Sequence, residues 1–470
     1  MIRSRNQPFM PSDSSPLTWS DTIRSYADKR LFWVFILGCS SGFPWVLIGS
    51  GMSGWLKDIG MTLTAIGYFG SVTAVYAINF LWAPLIDRVK LPMLHSRFGQ
   101  RRSWILLCQC LIVLCTLLLS GVNPHEQILV TSLVALGIAI ASSTQDIAID
   151  AFRIDTFPKQ KNNKLPQASA MATIGWWTGY SLPGYVAFAN ADRIGWNQVY
   201  LLLALIAAAL MIGTLLVKEP ITQRDQLQAQ AEQARRANTQ SRLLVWLSVT
   251  VIEPFADFFR RNGTQVAVTI LLFVFLFKVG EAFLGRMSIA FYRDIGFSNE
   301  QIGEYSKLIG WGATMLFSLL GSMVNVRLGI VKGLLIGGSA MAASNLMFAW
   351  IAEVGPNEHL LLATVLVDNF TTAFSTVAFV SFLTLLTGQA FSATQYALLA
   401  SLGNFSRTTL ASFSGGLADY LNNWSLFFIF TAIMVIPSLL MLYSLRHYFT
   451  ALLQATRQDK EDKEDKEPKT

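Results

Sequence analysis

The sequence predicts an all-α polytopic membrane protein whose twelve transmembrane helices form two six-helix halves. Three observations carry that expectation. Of 470 residues, 53% are hydrophobic and only 14% are charged, whereas soluble globular chains carry about 25% charged residues. Apolar runs long enough to cross a bilayer recur six times on either side of a polar middle stretch. Lys and Arg concentrate in alternate connections, as positive-inside orientation requires.

The runs lie at 31–56, 65–87, 103–121, 127–152, 167–190 and 198–217, then at 264–291, 300–324, 331–352, 359–386, 392–418 and 424–446. They divide the chain into an arm (1–30), a first half (31–217), a middle loop (218–263), a second half (264–446) and a charged tail (447–470). The arm carries Arg3, Arg5, Arg24, Lys29 and Arg30. The second connection carries Arg88, Lys90, Arg97, Arg101 and Arg102, and the fourth Arg153, Lys159, Lys161 and Lys164. Opposite connections hold little beyond Lys57, Arg193 and Arg293. Both termini and the middle loop are therefore expected in the cytoplasm. The formal charge of +7 reports orientation and not nucleic-acid binding. The first run is too long for a signal-peptide core, so it is expected to direct insertion uncleaved. All four cysteines (Cys39, Cys108, Cys110, Cys115) fall in apolar runs, which argues for packing and against a disulfide framework.

The middle loop has two characters. Thr222 to Gln240 reads as a solvated helix or linker, and Leu243 to Phe259, interrupted by Pro254, as a helix lying in the membrane interface. The tail from Arg457 is an unpatterned charge run, expected to be disordered. An internal repeat supports the division into halves. Pro84 to Arg88 with Arg97 to Arg102 finds a counterpart in Gly321 to Gly329, and Gly195-Trp196-Asn197 in Asn423-Trp424-Ser425. Two such halves are the organisation of secondary transporters, with the site between them near the midplane.

Charges inside the runs mark the candidate site. The fourth run ends with Asp146 and Asp150 on one helical face and Arg153 three residues on. A charge inside a span costs about 3 kcal/mol or more, and so usually faces a pathway. Asp146 is the deepest and has no cation on an adjacent turn, which makes it the leading proton carrier. Asp150 reads equally as a marker of the helix end at the cytoplasmic interface, and for Asp155 that is the favoured reading. Asp87 is an unneeded acid in a basic loop with Arg88, Arg101 and Arg102, and these read as a gate to which Asp150 or Asp155 adds a second carboxylate. The bland alternative is topology alone. In the second half Lys278, Lys307 and Arg407 outnumber Glu281 and Asp368. That excess favours a negatively charged substrate held there, although Lys278 and Glu281 at i, i+3 read equally as a self-neutralising pair. Glu281 and Asp368 are rival proton sites, each expected to be held ionised by cations of its own half.

Asn79, Gln145, Asn345, Asn369, Gln395 and Asn404 supply donors and acceptors for amides and sugar hydroxyls. Trp176, Trp177 and Tyr180 in the fifth run would stack on a sugar ring or simply pack. No nucleotide-binding loop, metal-ligand spacing or nucleophile–base pair is present, so neither an enzyme nor a cofactor is expected, and the energy source would be a proton gradient. The expected partners are the substrate and membrane lipids, with the chain a monomer.

Several stretches resemble the AmpG-type anhydromuropeptide permeases of the major facilitator superfamily. They are Ser41 to Pro44, Phe80 to Arg88, Gly99 to Trp104, Ala141 to Ala151, Lys278 to Phe283 and Phe391 to Leu399. The resemblance implies the major facilitator fold and proton-driven import of N-acetylglucosaminyl-1,6-anhydro-N-acetylmuramyl peptides across a bacterial inner membrane. Such import serves peptidoglycan recycling and, in those bacteria, feeds β-lactamase induction and thus beta-lactam resistance. It also implies functional roles for Gly42 and Gln145. The chain departs from the family pattern with Glu281 in place of Asp, with Trp176-Trp177 in place of a Tyr-Arg pair, and with a charged tail where some members have two more helices. A drug–proton antiporter, which needs a cationic or apolar substrate, and a non-transporting membrane assembly factor, which needs no proton site, are the alternatives.

Overall fold

The structure is a computed structural model that describes residues 24–61, 69, 71–157, 164–236, 248–297, 301, 305, 309–388, 390–406, 410, 413–446 and 448. In chain order it contains α1 (Lys29–Leu56), a broken second span ending in α2 (Ala83–Arg88), α3 (Gln100–Ser120), α4 (Ile128–Thr156), α5 (Leu165–Ile194) and α6 (Trp196–Leu216). The middle loop holds α7 (Arg224–Arg236) and α8 (Glu253–Asn262). The second half comprises α9 (Thr264–Tyr292), α10 (Gly310–Leu328), α11 (Ile330–Val354), α12 (Glu358–Leu386), α13 (Ser392–Phe405), α14 (Ser414–Leu421) and α15 (Trp424–Arg446). Among the described residues there is no strand. Among the described residues eight helices (α1, α3, α4, α6, α9, α11, α12 and α15) are long and apolar enough to cross a membrane. In their described residues the other four expected runs are largely helical, but interrupted or less apolar. Residues 1–23, 243–247 and 451–470, on which parts of the arm, loop and tail readings rest, lie outside the described residues.

The interruptions follow from the sequence. Pro44 lacks an N–H, and the wider turn Val46–Ser50 follows it in α1. In the second span Asn79 to Leu81 tightens into a 3₁₀ turn, after which Pro84 opens α2. Asp28 caps α1 by accepting from Arg30 N at 3.0 Å and also receives Lys164 Nζ at 2.9 Å, just before α5. Hydrogen bonds from Arg30 hold its carboxyl well below the usual carboxylate range.

α1 and α5 cross at two facing pairs of glycines, Gly38 with Gly42 and Gly175 with Gly179. Each pair is spaced four apart so that the backbones touch. A Cβ on Gly42 would lie 1.9 Å from the Trp176 carbonyl oxygen, and one on Gly179 2.0 Å from that of Cys39. This corrects the expectation for Gly42: it is buried in the helix crossing, with no room for substrate beside it.

Both halves repeat the same scaffold. Trp196 Nε1 donates to Asp58 at 2.7 Å and Trp424 Nε1 to Asp294 at 3.1 Å, so the repeated Trp motif ties matching helices in each half. Gly99 and Gly329, at φ 83° and 86°, open α3 and α11 identically. The apolar clusters at this Trp-bearing face each stay within one half. On the opposite, basic face the clusters mix the halves: Leu31, Ile154 and Phe157 pack with Phe382, Leu386 and Tyr396, and Ile147 and Ala151 with Ala393 and Ala397. The bundle is therefore sealed at its basic face.

Gly42→Ala should separate α1 from α5, at a cost of about 1–3 kcal/mol or more. A Cβ on Gly49 meets nothing within 4 Å. Thermal unfolding of the detergent-purified protein should show a lowered Tm for Gly42→Ala and an unchanged one for Gly49→Ala.

Candidate functional site

The seal of the basic face is a buried charge network. Arg101 at the start of α3 has no solvent-exposed side-chain surface. Its guanidinium donates to Asp87 at 2.8 Å, Asp155 at 3.0 Å, Ser392 Oγ at 2.8 Å and the Ile86 carbonyl at 3.2 Å. Asp87, at the end of α2, accepts from the first turn of α13: Ala393 N at 3.2 Å, Thr394 N at 2.8 Å and Thr394 Oγ1 at 2.7 Å. A carboxylate there satisfies amides that α13 itself leaves unpaired and faces the positive end of its dipole. Ser392 Oγ closes the ring by donating to Asp155 at 3.0 Å. Two residues before Asp155 on α4, Arg153 spans the halves, bonding Thr384 Oγ1 at 3.0 Å and lying over the Tyr396 ring at 5.2 Å.

Asp87 and Arg101 of the expected gate thus meet the second half directly, and Asp155 is the second carboxylate. The other expected members are placed elsewhere. Arg102 donates to the Thr214 and Leu215 carbonyls at the end of α6. Arg88 bonds Gln228 and Glu232 of α7. Asp150 pairs with Arg153 at 2.9 Å within α4. Ser392 and Thr394, which the sequence reading did not single out, announce themselves only as hydroxyls at the start of a helix, the usual place for capping groups.

Higher in the bundle the two halves differ in charge. Half-buried Asp146 accepts from Ser41 Oγ of α1 at 2.6 Å. Among the described residues no basic group lies within ion-pair distance of it. The matching crossing of the second half carries Lys278, which is 4% exposed. Its Nζ bonds Glu281 at 2.5 Å, Ser375 at 2.8 Å and Thr376 at 3.0 Å. Glu281 is therefore neutralised locally, as the i, i+3 reading allowed. The Asp368 side chain meets Ser344 Oγ at 3.4 Å, and among the described residues no cation lies within ion-pair distance of it. The spacing along one helix showed nothing of α11, from which Ser344 comes. Lys307 and Arg407 lie outside the described residues.

Gln145 is buried and donates to the Ser40 carbonyl at 2.7 Å, bracing α1 beside its glycines. Asn369 links α12 to α10 by accepting from Thr314 Oγ1 at 2.8 Å, and Asn404 is exposed on α13. Gln395 corrects its expectation as a substrate ligand. Its amide is fully engaged with Pro254 O, Asp257, Arg261 and Gly388 N at 2.6–2.9 Å, fastening α8 to the first turn of α13. Trp177 and Tyr180, half-buried on α5, join Trp45, Tyr76 and Trp176 in one aromatic group, with Trp176 stacked on Tyr180 at 5.6 Å. Tyr76 adds a hydrogen bond to Ser142 of α4 at 2.5 Å.

Residues 34–408 match the pattern described as Major Facilitator Superfamily. The chain belongs to the major facilitator superfamily, in its AmpG family. A Rickettsia felis transporter designated AmpG 4 is 36% identical over 89% of this chain and 96% of its own. The anhydromuropeptide permease of Escherichia coli K12 is 31% identical over 90% of this chain and 81% of its own. Among solved structures, the proton:xylose symporter XylE superposes with a TM-score of 0.63 at 14% identity, covering 90% of this chain and 96% of that one. The human organic anion transporter MFSD10 superposes at 0.61 with 16% identity, covering 90% and 99%. These two show the shared fold. The chain is a multi-pass membrane transporter and not an enzyme.

Removing Arg101 would leave Asp87 and Asp155 buried near one another with less compensation, which typically costs about 3–5 kcal/mol. Arg101→Met should open the basic face. In a chain with its native cysteines replaced, alkylation of Ala397→Cys by an impermeant maleimide from that face should rise at least about tenfold. An unchanged rate would exclude Arg101 from the seal.

Proposed function

We propose that the chain imports N-acetylglucosaminyl-1,6-anhydro-N-acetylmuramyl peptides into the bacterial cytoplasm, driven by a proton gradient across the inner membrane. The observation that carries this reading is the likeness to the Escherichia coli anhydromuropeptide permease over nine-tenths of the chain. In this reading the chain acts as a monomer with both termini inside. The basic face is then cytoplasmic, and the sealed arrangement is the one that accepts cargo from the periplasm.

The chemistry of the two halves fits such a cargo. Asp146, bonded to Ser41 and without a cation at ion-pair distance among the described residues, carries the proton. Lys278, set among Ser375, Thr376 and Glu281, supplies charge for the stem-peptide carboxylates. The aromatic group of Trp45, Trp176, Trp177 and Tyr180 offers faces to the sugar rings. Asp368, likewise without a cation at ion-pair distance, is the next acid in line for the proton.

Right-side-out vesicles should concentrate labelled anhydromuropeptide when the outside is acidified, and should not when the gradient is collapsed. Accumulation that ignores the gradient would overturn the coupling. Asp146→Asn should still bind and exchange cargo downhill while its accumulation ratio falls to that of gradient-free vesicles. If it still concentrates cargo, the proton rides elsewhere, and Asp368→Asn is the variant to compare.

Lys278→Met separates carboxylate recognition from folding. It should weaken the peptide-bearing cargo about 10- to 100-fold, the worth of a hydrogen bond to a charged group. Binding of the peptide-free disaccharide should stay near its original strength. Equal losses for both would assign Lys278 to structure.

A further inference from the structure

The middle loop was expected to hold a solvated helix or linker, but α7 is docked. Arg224, at its first position, is buried and donates to Asp155 at 3.2 Å and to Gln100 Oε1 at 3.1 Å. It thereby joins the same carboxylate that holds Arg101. One turn on, Gln228 touches both halves at once: its Nε2 donates to the Asp87 carbonyl at 3.3 Å and to the Ala390 carbonyl, just before α13, at 2.7 Å. Its Oε1 accepts from Arg88 at 3.1 Å, and Arg88 also pairs with Glu232 another turn along. Ala231 packs with Val249, Ala390 and Phe391. Lys90 pairs with Asp225 at 2.6 Å.

We propose that α7 is a clasp that holds the basic face of the transporter shut, with Arg224 and Gln228 as positioning residues, and that undocking of α7 is a step of the transport cycle. Charge, size and placement favour this over a passive linker. A linker needs no buried arginine, and α7 puts one into the carboxylate that closes the seal. A linker tied to one half would ride with it, whereas Gln228 is shared between the halves and must release one carbonyl when they part. The docking is also releasable. Burial and the neighbouring Arg101 guanidinium push the Arg224 pKa down, against the pull of Asp155 and Asp87. Its charge is thus only partly repaid where it sits. At the exposed edge Lys90 outweighs the effect of burial and holds the Asp225 carboxyl below its ordinary value, a contact that salt screens readily.

The test uses the full-length protein in lipid. Spin labels at Ser96→Cys in the first half and Lys332→Cys in the second, both exposed on the basic face, report the separation of the halves there. This measurement needs no cargo, so it stands whether or not the muropeptide assignment does. Arg224→Ala with Gln228→Ala should raise the long-distance population about fivefold, and Arg224→Lys should restore part of the closed population. A distance distribution unchanged by the double variant would overturn the clasp. The converse variant keeps the fold intact. Gln228→Cys and Ala390→Cys, joined by a short reducible bis-thiosulfonate linker, should suppress transport of whichever cargo the protein carries by more than about tenfold, with recovery on reduction. Full transport by the tethered protein would show that α7 need not leave.

Discussion

The arrangement of the whole bundle depends on one buried guanidinium. Arg101 is surrounded by Asp87, Asp155, Ser392 and a main-chain carbonyl; both carboxylates belong to the first half, and the second half contributes the Ser392 hydroxyl and the α13 amides from which Asp87 accepts. The ring is self-consistent: Asp87 holds the start of α13, Ser392 from that same start holds Asp155, and Asp155 holds Arg101. Such a network contributes little net stability, because desolvation offsets most of the Coulomb attraction. That balance suits a transporter. When the halves part, water replaces the lost partners and recovers much of the desolvation cost, so open and closed arrangements lie within reach of one another.

The repeat explains why the seal forms where it does. The halves share their Trp-to-Asp ties and their left-handed glycines, which fixes equivalent helices at equivalent places. Chemistry then departs from symmetry. At matching crossings the first half presents Asp146 beside Ser41, and the second presents Lys278 beside Ser375 and Thr376. At the basic face the first half presents Asp87 and Arg101, where the second has buried Asn325. A common scaffold thus carries an acid beside a serine hydroxyl, a Lys278–Glu281 ion pair and a one-sided lock.

Eight apolar spans and the charges inside the runs were legible in the sequence, because apolar length and the rarity of intramembrane charge are local signals. What one chain segment does to another was not. Gly42 is explained by Trp176, 134 positions away, whose carbonyl it must approach. Gln395 looked like a site amide because it sits in a span, yet it lies in the first turn, where α8 and the Gly388 amide take its hydrogen bonds. Which acid Lys278 would meet was left open by its half's composition, and the structure pairs it with Glu281. α7 looked solvated because its residues are polar, and its polarity is used inward, on the charges of the gate.

α4 is the element on which the proposed proton site and the seal of the basic face converge. Asp146 meets α1; one turn on, Asp150 pairs with Arg153, which reaches α12 and Tyr396 of α13; two residues further, Asp155 closes the ring with Arg101 and Ser392. Nothing in the helix between them is broken, so a shift of α4 against α1 is delivered whole to the inter-half contacts. The acid we propose to carry the proton therefore needs no chain of intermediaries. In that proposal, protonation would alter the hold of Asp146 on Ser41, and the unbroken helix below would carry the change to the lock.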